Sequence, residues 1–162
     1  MDVRVLRYFI IFASAFWLDR WTKELAVKFL SQDSIFVNSL LNFSLQWNRG
    51  VSFSWLTFDS TAGVIALTLG VLAIIVLFGF YTWGQFRLGK ILYAETFVLA
   101  GALSNVLDRF KHGAVVDFID FHLGSWHFAT FNVADIFICV GITWLMLMQI
   151  KEVYDAQRKN NR

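Results

Sequence analysis

A chain of 162 residues that is 57% hydrophobic and only 16% charged lies outside the soluble range of about 45–50% apolar and 25% charged. With a mean hydropathy of +0.57 it reads as one integral membrane domain, 1–162. The net charge of +2 comes without a basic cluster interleaved with aromatics, so no nucleic-acid partner is expected. The lone Cys139 excludes an intrachain disulfide and a multi-cysteine metal site.

Four membrane-spanning helices are predicted, at about 8–20, 61–83, 90–107 and 131–150, with lengths set by the bilayer core. The first is short, but Arg4 and Arg7 at one end and Asp19 and Arg20 at the other can snorkel. Ala13-Ser14-Ala15 imitates a signal-peptide cleavage site. The apolar stretch before it is too short for an h-region of roughly 7–15 residues, so the segment is expected to be retained. The alternating stretch Phe43-Ser-Leu-Gln-Trp47 predicts a short strand between the first two spans. The second span carries no charge, whereas Glu95 and Asn105 interrupt the third. Trp17, Trp21, Trp55, Trp83 and Trp126 fall near span ends, as interfacial aromatics do.

Four spans put both termini on one side. That side carries Arg4, Arg7, Arg87, Lys90, Lys151, Arg158, Lys159 and Arg162. The other carries Arg20, Lys23, Lys28, Arg49, Arg109 and Lys111. The bias places both termini in the cytoplasm and the long connections 19–60 and 108–130 outside. Polar residues able to do chemistry then gather at the outer face: Asp19, Lys23, Asn48, Arg49, Asn105, Asp108, Arg109, Asp117, Asn132 and Asp135.

Asp135 is the most telling of these. A carboxylate within a spanning segment costs about 2.5–3.5 kcal/mol at the bilayer centre and less near an end, and marks a functional position. Asn132 suits the N-cap of the fourth helix, which makes Asp135 its N3 residue. The positive helix end there favours the ionised form. Asp117 sits in Ala114-Val-Val-Asp-Phe-Ile119, where desolvation favours the neutral form. Should the two meet, one is biased towards base and the other towards acid, sharing a proton as in aspartic proteases. Spacing alone leaves a second reading open, a capping Asp and an unrelated loop Asp.

The remaining features are weaker. Asp19 and Lys23 form an i,i+4 pair, read as a helix-end ion pair or as part of a site. Gly101, Asn105, Asp108 and Arg109 form a stripe on the third helix. Gly there admits a neighbouring helix, and Asp108 and Arg109, being adjacent, face different partners. Gly50, after Asn48 and Arg49, permits a turn or a close backbone approach. Ser104 has no evident base partner. Glu95 has no assigned role beyond hydrogen bonding inside the bundle. His112, His122 and His127 lack i,i+4 spacing and read as interfacial packing rather than metal ligands.

Five ordered motifs carry a resemblance: Asp19-Arg-Trp-Thr-Lys23, Asn48-Arg-Gly-Val-Ser-Phe53, Gly101-Ala-Leu-Ser-Asn-Val-Leu-Asp-Arg109, Val115-Val-Asp-Phe-Ile119 and Phe131-Asn-Val-Ala-Asp135. In these the chain resembles the lipoprotein signal peptidases, the type II signal peptidases of bacteria, over almost its whole length. The resemblance implies an all-α integral membrane protein, four transmembrane helices with a small extracytoplasmic β-rich cradle at about 36–58. It implies catalysis by Asp117 and Asp135. Asn48, Asn105, Arg109 and Asn132 would line the site, and Asp19, Lys23, Gly101 and Asp108 would support it. It implies no cofactor or metal, a diacylglyceryl-prolipoprotein substrate, contact with membrane lipid, inhibition by globomycin-type cyclic peptides, a monomer, and the bacterial inner membrane. Two rival readings are a proton-coupled small transporter and a lipid-binding assembly factor. The one-sided clustering of polar residues argues against the first, and the paired carboxylates against the second.

Overall fold

The computed structural model describes residues 2–50, 60–124, 126–128 and 130–160. Four helices, α1 (Val3–Phe29), α2 (Thr61–Arg87), α3 (Tyr93–His112) and α4 (Val133–Asn160), carry a small sheet at one end. Its strands are β1 (Ile35–Asn38), β2 (Leu41–Asn48), β3 (Val115–Leu123) and β4 (Trp126–His127), in the order β1-β2-β3-β4. All the pairings are antiparallel. Of the cradle expected at 36–58, residues 36–50 hold β1 and β2, and 51–59, with Trp55, lie outside the described residues.

Burial is inverted relative to a protein folded in water. The largest fully buried side chains are Lys23, Val116, Asn132, Asp19, Asp108 and Ser104, while Leu77, Phe80 and Ile74 on α2 are two-thirds exposed or more. Apolar faces turned outward around a polar interior suit lipid as the surrounding medium, where charged groups turn to the bundle interior. Among the described residues, α2 and α4 are long and apolar enough to cross a membrane. Asp19, Arg20 and Lys23 in α1, and Glu95, Asp108 and Arg109 in α3, lower the hydropathy of the other two. All but Arg109 of these are buried.

The helices run past the predicted spans: α1 continues beyond residue 20 to Phe29, and α4 beyond 150 to Asn160. In α1 the charged turn faces inward and is satisfied there. The connection 108–130 is not all loop; it contains β3, which carries Asp117. Residues 115–118 are buried whichever way they point, so Val115, Val116 and Phe118 fall on both faces with Asp117 among them and show no apolar/polar alternation to read.

Turn chemistry delivers β3 to the site. Gly113 ends α3 with φ 69° and donates its N–H to the Arg109 carbonyl, a left-handed cap that glycine adopts without a Cβ penalty. Two residues later β3 pairs with β2, Asp117 opposite Gln46 and Asn48 opposite Val115. Phe131 then exchanges hydrogen bonds with Ile119, at 2.8 and 3.0 Å, which ties the start of α4 to β3. A small apolar core of Ala26, Leu30 and Phe118, backed by Phe43, Leu45, Ile119 and Val133, locks the end of α1 under the sheet. Between α3 and α4 the backbones approach closely. A Cβ added at Gly101 would lie 2.5 Å from the Ala134 carbonyl oxygen, and one at Gly141 would lie 2.6 Å from that of Ala94.

Candidate active site

The first turn of α4 closes on itself. The Asn132 side-chain oxygen accepts from the Asp135 N–H at 2.9 Å, and Asp135 Oδ2 accepts from the Asn132 N–H at 3.2 Å. This reciprocal capping box satisfies two otherwise orphaned groups, and it holds the Asp135 carboxylate at the rim of the bundle. The free Asn132 amide protons reach sideways, to Asp117 Oδ1 at 2.6 Å and to Asn105 Oδ1 at 3.2 Å. Asn105 in turn donates to Asp135 Oδ1 at 2.9 Å, and Asn48 donates to Asp117 Oδ2 at 3.0 Å. The two carboxylates from β3 and α4 are thereby held in one frame by three asparagines. They line a common cavity of about 150 Å³ together with Asn48, Asn105 and Arg109.

Behind this frame lies a buried ionic cluster. Lys23 Nζ donates to Asp19 at 2.8 Å, to Asp108 at 2.8 Å and to Asn105 Oδ1 at 2.7 Å, which uses all three of its protons. Asp19 also accepts from Ser104 Oγ at 2.6 Å and from the Ala134 N–H at 2.7 Å, an anion at a helix N-terminus. Asp108 accepts from Arg20 and from the Val116 N–H. Arg109 points elsewhere, donating through Nη2 to the Gly50 carbonyl at 2.8 Å. Its buried Nε has no hydrogen-bond partner among the described residues. Arg20, Lys23 and Arg109 thus face Asp19, Asp108, Asp117 and Asp135, and one proton on the last two leaves the group neutral.

Burial pushes the Asp117 carboxyl up to about 7, and the nearby Asp135 charge adds to the shift. The Asn48 and Asn132 hydrogen bonds and the Lys23 charge oppose it without reversing it. A carboxyl that holds a proton near neutrality beside a second carboxylate is equipped for general acid–base chemistry on water and an amide.

Asp19, Lys23, Asn48, Asn105, Asp108, Asp117, Asn132 and Asp135 therefore lie in two connected layers, with Arg109 beside the cavity and Gly101 at the α3–α4 contact; Arg49 lines a different cavity. Asp19–Lys23 is not an exposed helix-end pair but the centre of the inner layer. Asp108 and Arg109 do have separate partners. Sequence reasoning missed Ser104 and Arg20, whose partners lie 85 and 88 residues away; no local spacing rule reaches that far. His112 packs its ring on Trp47 at 5.1 Å, and His122 sits opposite His127.

Fold and site define a membrane-embedded enzyme with a pair of carboxylates at one end of its bundle. Two solved structures of bacterial membrane enzymes share the fold. One has a TM-score of 0.72 and 24% identity over 92% of this chain and 90% of that one. The other has a TM-score of 0.70 and 25% identity over 90% and 93%. The family model described as signal peptidase (SPase) II matches residues 11–151, and the chain belongs to that family. It is similar to the lipoprotein signal peptidase of Buchnera aphidicola, 39% identical over 80% of this chain and 82% of the relative. The lipoprotein signal peptidase of Francisella tularensis subsp. novicida is 35% identical over 87% and 89%.

Proposed function

We propose that the chain is a bacterial membrane aspartyl endopeptidase that removes the signal peptide from diacylglyceryl-modified prolipoproteins, cutting just before the lipidated cysteine. The observation that carries this reading is the joining of Asp117 and Asp135, within one cavity, through Asn132 and Asn105. Asp135 acts as general base and takes a proton from water as its oxygen attacks the scissile carbonyl. Asp117 gives its proton to the carbonyl oxygen, producing a neutral diol. The amine leaves with the proton held by Asp135, and Asp117 recovers its own from the diol hydroxyl. Water is thereby added across the amide with no net change in the dyad. Asn48 and Asn132 orient Asp117, and Arg109, whose Nε has no hydrogen-bond partner among the described residues, lines the cavity as a donor for the substrate backbone.

The chain crosses the membrane four times in this reading, with both termini cytoplasmic and the dyad at the outer face. Support for the two less apolar spans comes from their charges, which are turned inward and neutralise one another. The chain acts as a monomer in this reading. Globomycin-type cyclic peptides would compete for the same cavity.

The test is a gel-shift cleavage assay with purified protein in lipid and a diacylglyceryl-modified prolipoprotein. Wild type is expected to cleave, and Asp117→Asn and Asp135→Asn are expected to be inactive while still binding globomycin. Substantial turnover by either variant would remove the dyad assignment. A folded, inhibitor-binding but inactive wild type would favour a lipid-binding role instead.

A further inference from the structure

The cleft at the dyad is continued by a second one at the opposite end of the bundle. That second cavity, about 450 Å³, also lies between α2 and α4 over α3. Its lining repeats that of the first at seven-residue intervals. On α2, Val71 lines the first cavity and Phe78 and Gln85 the second. On α3, Arg109 and Ala102 line the first and Glu95 the second. On α4, Ile138 lines the first and Leu145 and Glu152 the second. Seven residues are almost two full turns, so each set of three lies on one helix face. The two cavities therefore open along the same three helix faces, as the ends of one groove would.

The far end has acceptors waiting for donors. Glu95 is 4% exposed, and its Oε2 has no hydrogen-bond partner among the described residues; neither has the buried Gln85 Oε1. Buried acceptors left unmade are costly, and both of these line the cavity. Glu152 and Lys90 sit at its rim as a long, half-exposed pair at 3.7 Å, which holds Lys90 without closing the groove.

We infer that this groove seats the helical, apolar stretch of the signal peptide and that Glu95, with Gln85 and Glu152, receives the peptide's basic N-terminal region. The inference rests on the peptidase reading. Length supports it: from Asn105, which donates to Asp135, back to Glu95, α3 rises about 15 Å. An apolar region of roughly 7–15 residues, coiled as a helix, spans about 10–22 Å. With its carboxyl end at the dyad, the peptide's lysine or arginine side chains arrive beside Glu95. A charge-assisted hydrogen bond there satisfies the orphaned oxygen.

The experiment compares two diacylglyceryl-modified prolipoproteins, one with its natural basic N-terminal residues and one with these replaced by glutamine. Each is given to wild-type enzyme, Glu95→Gln and Glu152→Gln in identical lipid. Wild type is expected to lose about tenfold in kcat/KM on the neutral substrate, mostly through KM. Glu95→Gln is expected to lose as much on the basic substrate and to process both alike. Equal processing of both substrates by wild type overturns the inference and leaves the peptidase reading standing. So do losses that simply multiply, which mean that Glu95 is satisfied within the protein. No cleavage of either substrate overturns the peptidase reading and this inference together. The wild-type comparison decides the matter even if a variant fails to fold.

Discussion

Replacing Lys23 by methionine removes one ammonium from three acceptors. Two are the carboxylates of Asp19 and Asp108, each fully buried, at 2.8 Å. Breaking a buried ion pair from one side costs about 3–5 kcal/mol, since the abandoned charge keeps its desolvation penalty. Here two carboxylates are abandoned, though each keeps other donors: Ser104 and the Ala134 N–H for Asp19, Arg20 and the Val116 N–H for Asp108. These donors hold the expected loss to about 3–5 kcal/mol, a fall in Tm of roughly 10 °C for a chain of this size. Activity should fall further than stability, because Asn105 loses the ammonium that fixes its oxygen and with it the orientation of its bond to Asp135. The assay is thermal unfolding in one detergent, followed by tryptophan fluorescence, for Lys23→Met, Asp108→Asn and the double variant. The double variant should be more stable than the sum of the singles implies, by at least about 1 kcal/mol. A Lys23→Met protein within about 1 kcal/mol of wild type, or strict additivity, would refute the reasoning.

Four further outcomes are expected. The raised Asp117 carboxyl is protonated below about 7, so kcat/KM should decline above that pH as the dyad loses its shared proton. A pH–rate profile that stays flat to pH 9 contradicts this. The same shift means that folding is opposed as pH rises from the unfolded value of 3.8 towards 7, because the unfolded chain releases the proton first. Raising the pH from 5 to 8 should therefore lower Tm less in Asp117→Asn than in wild type, and an equal fall in both would count against the burial argument. Gly101→Ala places a methyl 2.5 Å from the Ala134 carbonyl and should cost about 1–3 kcal/mol and displace Asp135. Gly79→Ala, with nothing within 4 Å, should be neutral in the same melts. Asn132→Ala removes the cap of α4 and the link between the two aspartates; a helix cap alone is worth about 1 kcal/mol. A modest fall in Tm should thus accompany a loss of activity of at least about a hundredfold, and comparable small losses in both would dissociate the link from catalysis.

Much of the site was legible because its signals are local. Asn132 and Asp135 are three residues apart, and three residues are the geometry of a cap. Asp117 among Val, Phe and Ile announced its desolvation, and the adjacency of Asp108 and Arg109 required divergent partners. Other features depend on contacts that no local window contains. The partners of Arg20 and Ser104, and two of the three partners of Asp19, come from other helices, so a charged turn in α1 looked like the end of a span. The start of β3 was hidden because residues 115–118 are buried on both faces, which erases the period of two there. Four spans were read from apolar runs, with loop charges used only to orient the termini; by length and composition α2 and α4 are the two that stand out among the described residues.

The bond from the Ala134 N–H to Asp19 joins residues 115 positions apart. The ionic cluster of α1 and α3 therefore has its full set of donors only when α4 is docked against it, and that same helix carries Asp135 to the cavity. Anything that loosens the seat of α4 should disturb the buried charges and the cavity together.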